Sequence, residues 1–404
     1  MVKQMNWNLY KEILSIDSTS GKERKLAEWL LEHLEAPARQ AMEVGDGTLN
    51  LLFSWGTPKV VFCTHLDTVP PYIAPSFGGK LPPEDLSTPG QGQGFPEGTG
   101  GGGLVHPRTS IGGGARWIQV PEGDAGDNGK GRNERSECSP PAACSSPGIA
   151  IYGRGTCDAK GQIFAMYEAC KALEAEGCTD FGLLLLAGEE TGSWGAKAFS
   201  GTGFEAPFLI VGEPTENKMV SAAKGTLSYD LKFEGKAFHS GYPEFGESAI
   251  DKFNEFYNKL KAKDFGEDPE LGKTTWNVGL LRSDNPQNIL SPEVTCRLYF
   301  RTTFVSHEAV KAWMEGSGVV ASARGGDIPA RYVTLPGFQK APVAFGSDAP
   351  HLTGFGHKII CGPGSIRFAH RPDEHILPEE LEAAVGLYTL LYATLRADTQ
   401  LADS

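Results

Sequence analysis

Five short stretches of this 404-residue chain place His, Asp or Glu at the end of an apolar run, where a strand is expected to give way to a loop. In order they are Thr64-His65-Leu66-Asp67-Thr68-Val69-Pro70, Gly153-Arg154-Gly155-Thr156-Cys157-Asp158-Ala159-Lys160-Gly161, Gly188-Glu189-Glu190-Thr191-Gly192, Gly212-Glu213-Pro214-Thr215 and Ala369-His370-Arg371-Pro372-Asp373-Glu374. Open α/β sheets bind ligands at such strand ends. Zinc takes imidazole and carboxylate, and two His with three acidic side chains can hold a pair of zinc ions if one carboxylate bridges them. A further carboxylate beside such a pair could serve as a base. The chemistry this set points to is metal-assisted hydrolysis.

Each motif taken alone also has a plainer reading. A His after an apolar strand is commonly structural, and Glu189-Glu190 could be a charge pair at a helix start, favoured by the dipole. Asp158 could be a turn residue and Glu213, before Pro214, a loop carboxylate. The ordered set of five outweighs these readings. The glycine runs at 100–103 and 112–114 lack the strand, Lys and Ser/Thr of a phosphate loop.

Near the N-terminus, residues 6–34 read as an amphipathic helix, a turn at Ser18-Thr19-Ser20-Gly21, and a second helix from Lys22 for which the turn's Ser and Thr supply caps. Continuous apolar runs at 59–64, 182–187, 208–211 and 358–361 have the pattern of strands buried on both faces. Helical stretches such as 161–175 alternate with them. The expected fold is therefore α/β, a mixed and largely parallel sheet flanked by helices. Between residues 223 and 334 the style changes. Strands are expected at 226–233, 274–281, 294–301 and 331–335, with helices at 249–261 and 307–314. This β-α-β-β-α-β order predicts an inserted α+β, ferredoxin-like sandwich.

Residues 78–147 stand apart. They hold 17 Gly and 9 Pro among 70 residues, about 37%, above the ~25–30% that marks low-complexity sequence. Such a segment buries too little apolar surface to offset the entropy of ordering it, and a disordered insertion is expected there. Only 115–120 reads as a strand.

A formal net charge of −13 argues against nucleic acid or an anionic membrane as partner. No run of 18 apolar residues occurs, so no membrane-spanning helix is expected. Residues 1–10 lack the apolar core of a signal peptide. The eight cysteines are scattered without a Cys-x-x-Cys pair, which suits reduced thiols and a cytoplasmic setting.

With these motifs the chain resembles the acetylornithine deacetylase / succinyl-diaminopimelate desuccinylase family of dinuclear zinc amidohydrolases, a metallopeptidase group with carboxypeptidase G and aminoacylase relatives. The resemblance covers nearly everything except 78–147. It implies a catalytic domain over 1–222 and 335–404, and a lid and dimerisation domain over 223–334. It also implies two zinc ions per chain, with cobalt as a substitute. His65, Asp158 and Glu213 would hold one; Asp158, Glu190 and His370 the other, with Asp158 bridging. Asp67 would orient the His65 imidazole, and Glu189 would be the general base. His239, in Ala237-Phe238-His239-Ser240-Gly241, matches a position from which the partner's lid stabilises the oxyanion. Asn288 and Arg301 match positions that bind the substrate carboxylate, a task that suits the planar fork of Arg.

The wording of the 188–192, 211–215 and 369–374 motifs is most similar to acetylornithine deacetylase. The expected substrate is thus a small N-acyl amino acid, N-acetylornithine, yielding ornithine and acetate in arginine biosynthesis, and the expected assembly is a homodimer. Succinyl-diaminopimelate or succinyl-ornithine desuccinylase and dipeptidase share the ligands and stay open, as does an inactive metal-binding scaffold. A succinyl substrate would need a second cation, for which Lys224, Arg282 and Arg324 are candidates.

Overall fold

A computed structural model describes residues 5–45, 47–80, 117–119 and 149–397. The chain divides into two compact units: Met1–Asn217 with His351–Gly356 and Cys361–Ser404, and Lys218–Pro350 with His357–Ile360. Among the described residues, no helix is long and apolar enough to cross a membrane.

The first unit is built on a mixed sheet whose strands follow the order Ala206–Val211, Val60–His65, Asp180–Leu186, Thr48–Gly56, Ala38–Val44, Trp117–Gln119. Val60–His65 runs parallel to both of its neighbours. Thr48–Gly56 and Ala38–Val44 add an antiparallel hairpin, turned through Gly45 and Gly47 at positive φ, and Trp117–Gln119 pairs antiparallel with its outer strand. The expected α/β architecture is present, and the short strand expected near 115–120 falls in it. Most of the other residues between 78 and 147 lie outside the described residues, but Gly78, Gly79 and Lys80 belong to the strand Ser76–Lys80, which pairs antiparallel with Ile149–Tyr152. The ladder matches Gly79 with Ala150 and Lys80 with Ile149.

Burial explains the central strands. Leu183, Leu184, Leu185 and Leu186 are all fully buried, each stabilising the fold by roughly 1.5–3 kcal/mol. Helix Lys160–Ala175 is buried along most of its length and packs against Pro378–Ala397. Helix Trp7–Ser15 buries Leu9, Tyr10, Ile13 and Leu14, and is capped by the Asn6 side chain, which accepts the Leu9 N–H. The next helix, Arg24–His33, starts differently from the expectation. Its N-cap is Glu23 with no side-chain cap bond, because Ser20 Oγ is drawn instead to Asp67 Oδ2 at 2.9 Å.

The second unit contains the sheet Thr275–Arg282, Glu293–Thr302, Gly225–Glu234, Val320–Gly325, with helices Ala249–Ala262 and His307–Glu315. This is the β-α-β-β-α-β order predicted, closed over Leu231, Phe233, Phe256, Leu298, Phe300 and Met314. One boundary differs. The fourth strand is Val320–Gly325, largely exposed and poor in large apolar side chains. The expected 331–335 strand is instead a two-residue strand, Ala330–Arg331, paired with Met219–Ala223.

Candidate metal centre

Three neighbouring parallel strands end at one level. His65 closes Val60–His65 opposite Leu186, and Cys63 lies opposite Val211. Two more main-chain bonds extend this register, Leu66 N–H to Leu186 O and Gly212 N–H to Cys63 O, both 2.7 Å. His65, the Glu189-Glu190 loop and Glu213 are thereby delivered side by side from strand ends.

Asp158 joins them from the turn that precedes helix Lys160–Ala175, and His370, at φ 65°, from the loop before His375–Ile376. Asp158 Oδ1 lies 3.0 Å from His65 Nε2 and its Oδ2 lies 3.3 Å from His370 Nε2. His370 Nε2 is also 2.9 Å from Glu190 Oε1. Donor atoms of His65, Asp158 and Glu213 all lie within 4.8 Å of one another, as do those of Asp158, Glu190 and His370, and those of His65, Glu189 and Glu190. One carboxylate thus faces two imidazoles through two different oxygens.

The electrostatics arise from crowding acidic groups in a buried place. Burial works against the charge on Asp158, yet the imidazoles of His370 and His65 outweigh it and hold the carboxyl below the usual range. Burial likewise opposes charge on His65, but bonds to Asp158 and Asp67 raise it well above an ordinary histidine. Asp158 and Glu190 push His370 up to about 10. The cluster attracts positive charge. Divalent cations would supply it while leaving the imidazoles neutral and able to ligate, and a set of imidazoles and carboxylates suits zinc. The donor set fits two ions that share Asp158.

Asp67 is organised differently from a simple imidazole partner. The nearest oxygen to His65 Nδ1 is the Asp67 main-chain carbonyl at 2.8 Å, with carboxylate Oδ1 at 3.6 Å. The carboxylate accepts the N–H groups of Glu189 at 3.0 Å and Glu190 at 3.3 Å. It therefore holds the loop carrying one candidate ligand and the candidate base. The same loop is tied from below by Asn50, whose side chain accepts Ala187 N–H and donates to Gly195 O.

His239, Asn288 and Arg301 lie in the second unit. His239 pairs with Ile289 as an isolated bridge, and Ser240 N–H donates to the Asn288 carbonyl, so those two segments are neighbours. His239 is exposed, its Nδ1 accepting Gly241 N–H. Arg301 stacks on Tyr299, 5.0 Å from the ring centre. Of the candidate second cations, Arg324 is paired with Asp230 at 2.9 Å, whereas Arg301 faces Lys224 closely enough to join burial in lowering the Lys224 amine.

Sequence reasoning passed over Arg154 and Glu374. Both are buried, and they are joined at 2.5 Å. Charged residues inside two ligand motifs were the available signal.

The chain matches the model of peptidase family M20/M25/M40 over residues 134–394, and it belongs to that family of metallopeptidases and amidohydrolases. A probable carboxypeptidase of Aspergillus clavatus is 27% identical over 417 residues, covering 95% of this chain and 87% of the relative. A peptidase M20 domain-containing protein of Schizosaccharomyces pombe is 33% identical over 254 residues. That match spans 60% of this chain and 62% of the relative's own length. Among solved structures, a tripeptidase from Staphylococcus aureus superposes with a TM-score of 0.62 at 16% identity, covering 100% of both chains. An M20 family metallo-carboxypeptidase from Sulfolobus solfataricus gives 0.62 at 14% identity, covering 96% and 98%. At these identities the structures speak for the fold alone.

Proposed function

We propose that this chain hydrolyses the linear amide bond of a small substrate bearing a free carboxylate, an N-acyl amino acid or a short peptide. The observation that carries the reading is Asp158, which turns one carboxylate oxygen to each of two imidazoles. His65, Asp158 and Glu213 would hold one zinc ion, and Asp158, Glu190 and His370 a second, with cobalt as a substitute. Bound there, the ions would polarise the amide carbonyl and acidify a water molecule. Glu189, whose carboxylate lies beside His65 and Glu190, takes the proton of the attacking water and passes it to the leaving amine. Asp67 fixes the main chain of Glu189. His239 of the partner subunit steadies the oxyanion, and Asn288 and Arg301 take the substrate carboxylate.

Within this class two substrates compete. Relatives named as probable carboxypeptidases support a peptide, while the wording of the ligand motifs supports N-acetylornithine. Homodimerisation would use the second unit, where strand Thr275–Arg282 is an edge strand with Leu280 and Leu281 exposed. The test is metal analysis with a substrate panel of C-terminal dipeptides, acetyl-ornithine, succinyl-ornithine and succinyl-diaminopimelate. About two zinc ions per chain and turnover of at least one amide are expected; trace metal and no turnover would sink the reading.

A further inference from the structure

Glu374 lies four residues beyond His370, yet its side chain bonds the segment that carries Asp158. Its Oε1 accepts three main-chain N–H groups, from Gly155 at 2.9 Å, Cys157 at 3.1 Å and Asp158 at 3.2 Å. Its Oε2 takes Arg154 Nη1 at 2.5 Å. Both side chains are almost wholly buried, at 2% exposure for Arg154 and 0% for Glu374. Arg154 reaches back as well, donating through Nη1 to the Arg371 carbonyl at 3.3 Å and through Nε to the Pro71 carbonyl at 3.2 Å. Main-chain bonds close the figure. Gly153 N–H donates to Glu374 O at 3.0 Å, and the ladder pairs His375 with Tyr152 and Ile376 with Ile151.

A buried charge needs such a full complement of partners. These partners, however, are concentrated on one five-residue turn, and that turn ends in Asp158. The segment that carries His370 therefore clamps the segment that carries Asp158. From this we infer that Glu374 is a positioning residue, whose side-chain oxygen, accepting three main-chain N–H groups, sets the turn of Asp158 against His370 before any metal arrives. The inference rests on the reading of Asp158 as the shared ligand. Residues that orient metal ligands commonly change metal affinity or activity by about 10–100-fold when altered.

Single substitutions would leave Arg154 buried without its anion and could unfold the chain, so paired variants are the sharper tool. Arg154→Met with Glu374→Gln removes the ion pair but keeps an oxygen for the three N–H groups. Arg154→Met with Glu374→Leu removes both. Cobalt(II) is titrated into each metal-free protein against a chromophoric chelator, and the visible ligand-field spectrum is recorded. The Gln pair is expected to bind cobalt within about threefold of the parent with the parental spectrum, and the Leu pair about tenfold or more weakly with an altered spectrum. Equal affinity and spectrum in both pairs would reduce Glu374 to a fold-stabilising role.

A second measurement needs no variant. In the metal-free parent, the amides of Gly155, Cys157 and Asp158 are expected to exchange with solvent as slowly as those of strand Val60–His65. Rapid exchange that slows only when cobalt is added would overturn the inference. If the parent itself takes up no cobalt, the metal reading fails, while slow exchange of the three amides would still report the clamp.

Discussion

Asp67 Oδ1 accepts the main-chain N–H of Glu189 at 3.0 Å, so the carboxylate next to one candidate ligand fixes the backbone of the candidate base. Glu190 N–H and Ser20 Oγ also donate to Oδ2, so Asp67 acts here through acceptor oxygens alone. Asp67→Asn would turn one acceptor into a donor facing N–H groups. Turnover is expected to fall about 10–100-fold with some loss of metal, measured as kcat/KM and zinc content; unchanged values for both would remove Asp67 from the site.

Glu189→Gln keeps size and polarity but cannot take a proton. The variant should hold its metal and lose about 10²-fold or more in kcat. Steady-state kinetics beside metal analysis checks this, and full turnover would show that another group is the base.

Chelation gives an independent handle. Removal of bound ions should abolish hydrolysis and lower the melting temperature, because ligands that bind only the folded chain stabilise it by about 2.7 kcal/mol at one hundred times Kd. Calorimetry with and without added zinc measures the shift. A melting curve indifferent to zinc would contradict a built metal centre.

Glu23 predicts a pH dependence away from the ligands. Burial, with the Asp67 charge adding to it, pushes this carboxyl from 4.5 up to about 7, and its Oε1 has no hydrogen-bond partner among the described residues. The folded chain thus binds the proton more tightly than the unfolded chain. Stability from this group is complete below about pH 4.5 and is lost as pH rises toward and through 7. Glu23→Gln should be close to the parent near pH 4 and increasingly more stable by pH 8. Denaturant melts at the two pH values decide it, and a gap that stays constant would refute the assignment.

Asn50 tests the support beneath the 187–195 loop. Asn50→Ala leaves the buried Ala187 N–H and Gly195 carbonyl without their partner. A loss of about 2–3 kcal/mol is expected, read from chemical denaturation.

Much of this was legible in the residues themselves. Val60–His65 and Asp180–Leu186 are continuous apolar runs ending in ligand motifs, and a strand buried on both faces leaves that trace. Thr48–Gly56 was not recognised although it is buried almost throughout. Asn50 and Ser54 interrupt its apolar pattern, and the fold tolerates Asn50 because distant partners satisfy it. The edge strand Val320–Gly325 was missed for the opposite reason, since exposure places little demand on its side chains. Ser20 reads as a cap from local sequence, but its competing acceptor, Asp67, lies 47 residues away. Glu374 depends on a pairing across more than 200 residues, which no local pattern encodes.

The pairing of Ser76–Lys80 with Ile149–Tyr152 has a further consequence. Lys80 and Ile149 sit opposite each other on one ladder, so the chain departs and returns through a doorway that the ladder already holds shut. Because Trp117–Gln119 is itself paired with Ala38–Val44, the connection divides into two, and doubling the length of either would change closure entropy by only about 0.6 kcal/mol. An insertion is therefore best carried between Lys80 and Trp117 or between Gln119 and Ile149, where a paired strand bounds it on both sides and both pairings stay in place.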